Sequence, residues 1–218
     1  MKRVLLAALL GLSPLPLTAH PHIYIDAGVN FLFDKQGRLA ALRVFWSYDE
    51  FYSLVQLEEM ELDQDGDGTI TLAEQEKLKG FDTQWVKGYE GDLYVTHNGQ
   101  PVKLAGPLKP GAKLQDGRLL TWHIRPLINR LDPTKGETTV KAYDPTFYSA
   151  YTLDLGVEVI DNPACKLFIT AADLPKAYDK VESLLYGEDS AQYDADEGFP
   201  EVGELFADTL TMKCAPSL

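Results

Sequence analysis

The chain has 218 residues, 45% hydrophobic and 24% charged, with 20 lysines and arginines against 33 aspartates and glutamates and a formal net charge of −13. This composition is that of a globular protein and excludes collagen-like, low-complexity and intrinsically disordered classes. Because a surface this acidic repels phosphates, we expect no nucleic-acid partner and regard cations as the natural small partners.

Residues 1–19 read as a secretory signal peptide. A short basic start precedes an apolar run over residues 4–12, and two prolines separate that run from Ala19. The run has about half of the roughly 20 residues that a spanning helix needs. We expect cleavage after Ala19, with Ser13 as a less favoured site, and export to the periplasm. No later stretch is apolar enough to cross a bilayer, so the protein is predicted not to span a membrane.

Most of the remaining chain is predicted to form strands. Alternating residues over 23–33 and 39–46 predict a hairpin around the turn at 34–37. Asn98-Gly99 and Asp116-Gly117 are strong hairpin-turn signals. Further strands are predicted over 93–96, 102–104, 113–114, 119–124, 138–143, 148–160, 166–170 and 205–214.

Three helices are predicted. Asp49 is expected to cap a helix from about Glu50 to Leu62, and a second helix is expected over 72–88. A third is predicted over 172–186. Phe51, Leu54, Val55 and Glu58 are expected to place apolar residues on one face of the first helix.

The predicted fold class is α+β. We expect a mainly antiparallel, sandwich-like β domain with a helix-loop-helix inserted near its start. Residues 20–218 are predicted to be a single β-rich domain, with the insertion at about 49–88.

The strongest chemical signal lies in that insertion, where residues 63–74 read DQDGDGTITLAE. This spacing of oxygen-bearing side chains, with glycine at the sixth position and glutamate at the twelfth, is the EF-hand calcium pattern. The alternative is a solvated acidic turn. We expect a structural rather than a regulatory role for the ion. The predicted calcium ligands are Asp63, Asp65, Asp67, Thr69 through its carbonyl, Thr71 through a water, and Glu74.

A second candidate metal site is the predicted new terminus, His20-Pro21-His22. In an extended segment, residues i and i+2 point to one side, so His20 and His22 are able to share an ion. Imidazole suits Zn²⁺, Cu²⁺ and Ni²⁺. His97 and His123 are the available third ligands, although His123 is better explained as a hydrogen-bonded strand histidine. The alternative is that the terminal histidines are exposed and have no role.

The chain has two cysteines, Cys165 and Cys214. No CxxC spacing or neighbouring histidine accompanies them, which favours a disulfide over a catalytic or metal-binding thiol pair. A disulfide fits an oxidising compartment.

Several segments together resemble a family of bacterial periplasmic proteins of uncharacterised function. They are HPH followed by IYIDA, the loop DQDGDGTITLAE, the segment YDPTFY and the ending FADTLTMKC. Members are described as the periplasmic component of an uncharacterised ABC-type transport system and are often encoded near nickel or cobalt transporters. The resemblance implies a periplasmic location and a membrane metal transporter as partner.

The residues and the resemblance predict a non-enzymatic, calcium-binding accessory protein for transition-metal binding or transport. The alternative is a calcium-stabilised protein-interaction module of the cell envelope without a transition-metal role. A third reading, a copper enzyme with an N-terminal histidine chelate, has no substrate groove in the sequence to support it.

Overall fold

The computed structural model describes residues 21–162, 164–187 and 200–215. The predicted signal peptide and His20 lie outside these ranges. Within the described residues the strands are β1 (Ile23–Phe33), β2 (Leu39–Tyr48), β3 (Leu93–His97), β4 (Gln100–Pro101), β5 (Leu108–Gln115), β6 (Arg118–Leu131), β7 (Thr138–Ala142), β8 (Ser149–Thr152), β9 (Val157–Ile160), β10 (Cys165–Thr170) and β11 (Thr209–Cys214). The helices there are α1 (Glu50–Glu59), α2 (Leu72–Leu78) and α3 (Leu174–Tyr186).

The strands form two sheets. The first has the order β5-β6-β2-β1-β8, and β9 also pairs with β1; the second has the order β10-β11-β7-β3-β4. The predicted β1–β2 hairpin is present and antiparallel, with Ile25 opposite Tyr48 and Phe31 opposite Leu42. Both β8 and β9 pair with β1 in parallel, so the first sheet is mixed.

The main core combines residues of both sheets. Val29, Phe31 and Val44 of the first sheet belong to the same buried cluster as Val140 and Leu210 of the second. Most of their neighbours along the strands are less buried, which places one face of each sheet in this core. A smaller cluster around Phe147 and Phe206 packs against α3.

The predicted α+β class is wrong, because the described chain is mostly β, with eleven strands in two sheets and only three α-helices. The predicted pair of long helices around residues 63–74 is not found. The helix expected over 72–88 ends at Leu78, and Gly80 then takes a positive φ of 80°, which ends regular helix geometry. The chain after Gly80 instead crosses the inner face of the first sheet.

Helix α1 begins as predicted but packs differently. The Asp49 side chain accepts a hydrogen bond from the Tyr52 amide and caps the helix. The predicted apolar face is not the buried one, since Phe51 is 75% exposed and Leu54 is 62% exposed. Ser53 and Leu57 are the buried residues.

Candidate metal site

The acidic loop between α1 and α2 brings three carboxylates together. One oxygen from each of Asp63, Asp65 and Asp67 lies within 4.8 Å of the others. Gly66 and Gly68 have positive φ angles of 67° and 77°, which fold the loop tightly enough to bring alternate side chains to one centre. The arrangement gathers hard, anionic oxygen donors at one point.

Local hydrogen bonds organise this loop. The backbone amides of Asp67 and Gly68 donate to the two carboxylate oxygens of Asp63, at 3.1 and 3.2 Å. The Thr69 amide and hydroxyl both donate to Asp67. These bonds hold the pKa of the Asp67 carboxyl below its ordinary value, so that group stays ionised at neutral pH.

Glu74 joins the two ends of the loop. One carboxylate oxygen accepts from the Asp63 amide at 3.3 Å, and the other accepts from the Thr71 amide at 2.8 Å. The Thr71 hydroxyl in turn accepts from the Glu74 amide, forming a capping box at the start of α2. The bonds from Thr71 lower the pKa of Glu74. Glu74 caps α2 and does not belong to the three-carboxylate cluster.

The donor set fits a calcium ion. Ca²⁺ takes six to eight oxygen ligands in a flexible shell, and its affinity rises with the number of charged ligands. The loop offers three convergent carboxylates with a fourth at its closing position. Cysteine and histidine are absent from it, so softer metals have no preferred ligand there.

The structure separates the described histidines. His22 is exposed, and its ring centroid lies 4.8 Å from that of Tyr148. His97 lies at the end of β3, with Nδ1 3.0 Å from the Thr138 hydroxyl. His123 is 1% exposed on the inner face of β6. Among the described residues no cluster of three metal ligands includes a histidine.

The predicted hydrogen bond of His123 is wrong. Neither ring nitrogen has a partner within the described ranges. The ring lies between the edges of Trp46 and Trp85, with centroid distances of 6.3 and 5.6 Å. Burial, together with the nearby charge of Arg125, lowers the pKa of His123 to about 4, so the ring is neutral at pH 7.

A buried polar cluster lies between residues 80–92 and the face of the first sheet that carries His123, and the sequence did not predict it. Residues 80–92 lie against the inward side chains of the first sheet. Asp82 accepts from the Tyr48 hydroxyl at 3.1 Å and from the Thr121 hydroxyl at 2.6 Å. Asp92 accepts from the Tyr151 hydroxyl at 2.8 Å. These bonds fix the crossing segment to the sheet from both ends.

Arg125 holds the middle of the crossing segment. Its guanidinium donates to the backbone carbonyls of Ala105 and Glu90 and lies 4.5 Å from the centre of the Trp85 ring. Gly91 leaves room for this contact, because a Cβ there would lie 2.3 Å from Trp85. The signal in the sequence was the run of polar residues at alternate, inward positions of β6: Thr121, His123 and Arg125.

In the cluster, burial outweighs the hydrogen bonds to the carboxylates, whereas in the loop hydrogen bonds lower the pKa of Asp67 and Glu74. Burial raises the pKa of Asp92 to about 6 and also raises the pKa of Asp82. The second carboxylate oxygen of Asp92 has no hydrogen-bond partner in the described part of the chain. The cluster therefore holds an aspartate that titrates just below neutral pH.

The predicted disulfide is confirmed. Cys165 and Cys214 face each other on the neighbouring strands β10 and β11 and are bonded. Such a bond is typical of oxidising compartments. Across the described residues, each helix is too short or too polar to cross a lipid bilayer.

Fold and site together define a disulfide-bonded, β-rich protein with a surface loop of hard oxygen donors. The chain belongs to a family described as "Protein of unknown function (DUF1007)", whose model matches residues 5–214. The predicted membership of a family of uncharacterised function is thereby confirmed, whereas the transport system and the EF-hand are not part of that description. No curated protein matches the chain.

Proposed function

We propose that this protein is a non-enzymatic, calcium-binding protein of the periplasm, in which the loop 63–74 holds one Ca²⁺. The observation that carries the proposal is the convergence of Asp63, Asp65 and Asp67 within 4.8 Å. Glu74 supports it, because its bonds to the Asp63 and Thr71 amides close the loop around that centre.

The ion would have a structural role. Asp63, Asp65, Asp67 and Glu74 would supply charged oxygens, with Thr69 and Thr71 completing the shell. Bound calcium neutralises carboxylates that otherwise repel one another. The loop leads directly into α2, where Leu78 is fully buried and the Gln75 side-chain amide donates to the Ala112 carbonyl of β5 at 3.1 Å. Ordering the loop would therefore stabilise the attachment of α2 to the first sheet.

Calorimetric titration with Ca²⁺ tests this proposal. We expect one site with a dissociation constant on the order of 10⁻⁴ M or below. Asp65→Asn is the most specific variant. The Asp65 side chain makes no hydrogen bond in the described structure, so the substitution affects only the carboxylate cluster. We expect it to weaken binding about tenfold or more without altering the metal-free fold.

Asp161→Asn is the matched control, because it removes an exposed carboxylate remote from the loop. Equal calcium affinity in the wild type and Asp65→Asn, or no binding at all, would contradict the proposal. The control variant should bind as the wild type does.

A second proposed role is transition-metal handling by His20 and His22. The supporting observation is that His22 is exposed immediately before β1. The resemblance to proteins encoded near nickel or cobalt transporters supports the same role and a membrane metal transporter as partner. Cu²⁺, Zn²⁺ and Ni²⁺ are the candidate ions.

Titration of the calcium-loaded protein beginning at His20 tests the second role. We expect stoichiometric binding of one of these ions, lost in the His20→Ala, His22→Ala variant and retained in His97→Gln. Binding that survives the double substitution would show that the terminal histidines are not the ligands. The competing proposal, an interaction module without a transition-metal role, would then be favoured.

A further inference from the structure

Helix α1 carries an apolar face that the described chain leaves uncovered. Phe51 and Leu54 are 75% and 62% exposed. Large apolar side chains that share one face of a helix at spacing i, i+3 are the usual way a helix packs against a partner. Single exposed apolar residues are common, but Phe51 and Leu54 are neighbours on one helix face, and Leu54 also lines a groove.

The packing of α1 explains why this face is free. Ser53, fully buried, accepts a hydrogen bond from the Leu119 amide at 2.9 Å and lies 3.4 Å from the Tyr48 carbonyl. The helix is thus attached to the end of β6 through Ser53 and Leu57. A helix attached on this side presents Phe51 and Leu54 away from the sheet.

A groove of about 690 Å³ lies beside this face, between α1, the acidic loop and the β5–β6 turn. We call it the α1 groove. Its apolar side chains are Leu54, Leu57, Leu62 and Leu114. Its acidic side chains are Glu58, Glu61 and Asp63. The volume is large enough to accept one or two apolar side chains of a partner.

The charge around the α1 groove is not compensated. Glu58 and Glu61 line the groove and form no ion pair with any described residue. The same holds for Glu50 and Glu59 elsewhere on α1. The helix itself contains no lysine or arginine. Apolar floor and acidic rim together complement a segment that combines apolar and basic side chains.

We propose that the α1 groove and the adjoining Phe51–Leu54 face dock a cationic amphipathic segment of a partner protein. Its apolar side chains enter the groove, and its Lys or Arg side chains lie against the glutamates of α1. A helix with anchors at i, i+3 and i+4 matches this surface. The α1 groove shares Asp63 with the proposed calcium site, whereas Phe51, Leu54 and the glutamates of α1 lie outside that site. Measuring the docking with and without calcium therefore separates the two proposals.

Fluorescence anisotropy with a synthetic Leu/Lys peptide of about 14 residues, roughly four helical turns, tests the proposal. The peptide has leucines on one helical face and lysines on the other. We expect the full mature protein to bind it, both with calcium and with a chelator. A scrambled peptide of the same composition should bind about tenfold more weakly, because its leucines no longer share one face.

The decisive variant is Phe51→Ser, Leu54→Ser. Both side chains are exposed, so the melting temperature should not change. We expect peptide affinity to fall about tenfold or more, as for the loss of interface anchors. The matched control, Ile128→Ser with Phe168→Ser, removes two exposed apolar side chains elsewhere and should bind as the wild type does. Glu58→Gln with Glu61→Gln should weaken binding and reduce its salt dependence.

Three outcomes would overturn the proposal. Equal peptide affinity in the Phe51→Ser, Leu54→Ser variant would show that the surface is not used. Equal binding of the scrambled peptide would show that charge attraction alone accounts for the affinity. Dimerisation in sedimentation experiments, or binding to phosphatidylcholine vesicles, that is lost in the same variant would assign the surface to a second copy or to a membrane.

Discussion

Aspartates in two regions of this protein have opposite environments. In the loop 63–74 the carboxylates are near the surface, and hydrogen bonds from neighbouring residues lower the pKa of Asp67. In the cluster under residues 80–92, burial raises the pKa of Asp92 to about 6. The loop is therefore charged and suited to a cation, whereas the cluster holds a carboxyl close to neutralisation. Solvent exposure decides which chemistry the same side chain supports.

The largest effect is expected for Gly91→Ala, which should disrupt the buried region and leave the loop intact. Gly91 has a φ of 68°, and a Cβ there would lie 2.3 Å from Trp85 and 2.6 Å from Arg125. Overpacking and backbone strain together should cost about 3 kcal/mol or more in urea unfolding.

Gly37→Ala is the matched control for that substitution. Gly37 has a similar φ of 73° but no atom within 4 Å of the added Cβ, so only about 1 kcal/mol should be lost. Equal losses in the two variants would mean that the Trp85–Arg125 contact does not restrict position 91.

Calcium should stabilise the loop region, which would sharpen the contrast between the charged loop and the buried cluster. At a concentration about 100 times the dissociation constant, a ligand that binds only the folded state adds about 2.7 kcal/mol. We expect a rise of this size in urea unfolding of the wild type, and a rise of about 1.4 kcal/mol or less in Asp65→Asn, whose affinity is at least about tenfold weaker. A rise of the same size in both proteins would place the ion elsewhere.

The pH dependence of stability should reveal the raised pKa of Asp92. Its pKa is about 6 in the folded protein against an ordinary 3.8, so between these values the folded state binds more protons and acidification stabilises it. The pKa of His123 is lowered to about 4 from 6.5, so in nearly the same window acidification destabilises the fold through His123. The two contributions oppose each other in the wild type.

Asp92→Asn should expose the contribution of His123. The variant lacks the stabilising titration, so from pH 7.5 to pH 4.5 it should lose about 2 kcal/mol relative to the wild type. Urea unfolding at the two pH values measures the difference. Parallel pH profiles for the two proteins would show that Asp92 is not held at a raised pKa.

The smallest effect is expected for Tyr151→Phe, which removes one hydrogen bond to Asp92. The loss should be about 1 to 2 kcal/mol at pH 7, where Asp92 is charged, and less below pH 5, where it is neutral. Tyr94→Phe is the control, because the Tyr94 ring stacks on Tyr143 and keeps that contact without its hydroxyl. A loss of stability that does not depend on pH would show that Tyr151 does not act through the ionised form of Asp92.

The features that local sequence determines were predictable. The β1–β2 hairpin and the Asp49 cap are present. The disulfide is not local, but it was predictable because the chain has only two cysteines. Asn98 and Asp116 take the positive φ angles that their Asn-Gly and Asp-Gly turns require. The clustering of the loop aspartates also follows from spacing within a dozen residues, although the sequence does not establish that calcium is bound.

Features that depend on distant contacts were not predictable. The helical pattern after Leu78 gives way because Asp82, Trp85 and Asp92 contact the first sheet, and these contacts outweigh helix propensity. The run 148–160 divides into β8 and β9, which pair in parallel with β1. For α1, the buried side carries Leu57 and Ser53, and Ser53 accepts a hydrogen bond from the Leu119 amide of β6. Hydrophobic periodicity carries no information about that polar contact.

The disulfide between β10 and β11 gives the chain a covalent ring, with 49 positions of sequence separating its two cysteines. Helix α3 lies within this ring. A protease that cuts once between Cys165 and Cys214 therefore opens the ring but does not divide the molecule. The nicked protein should migrate as a single species on a non-reducing gel and release a fragment only after reduction.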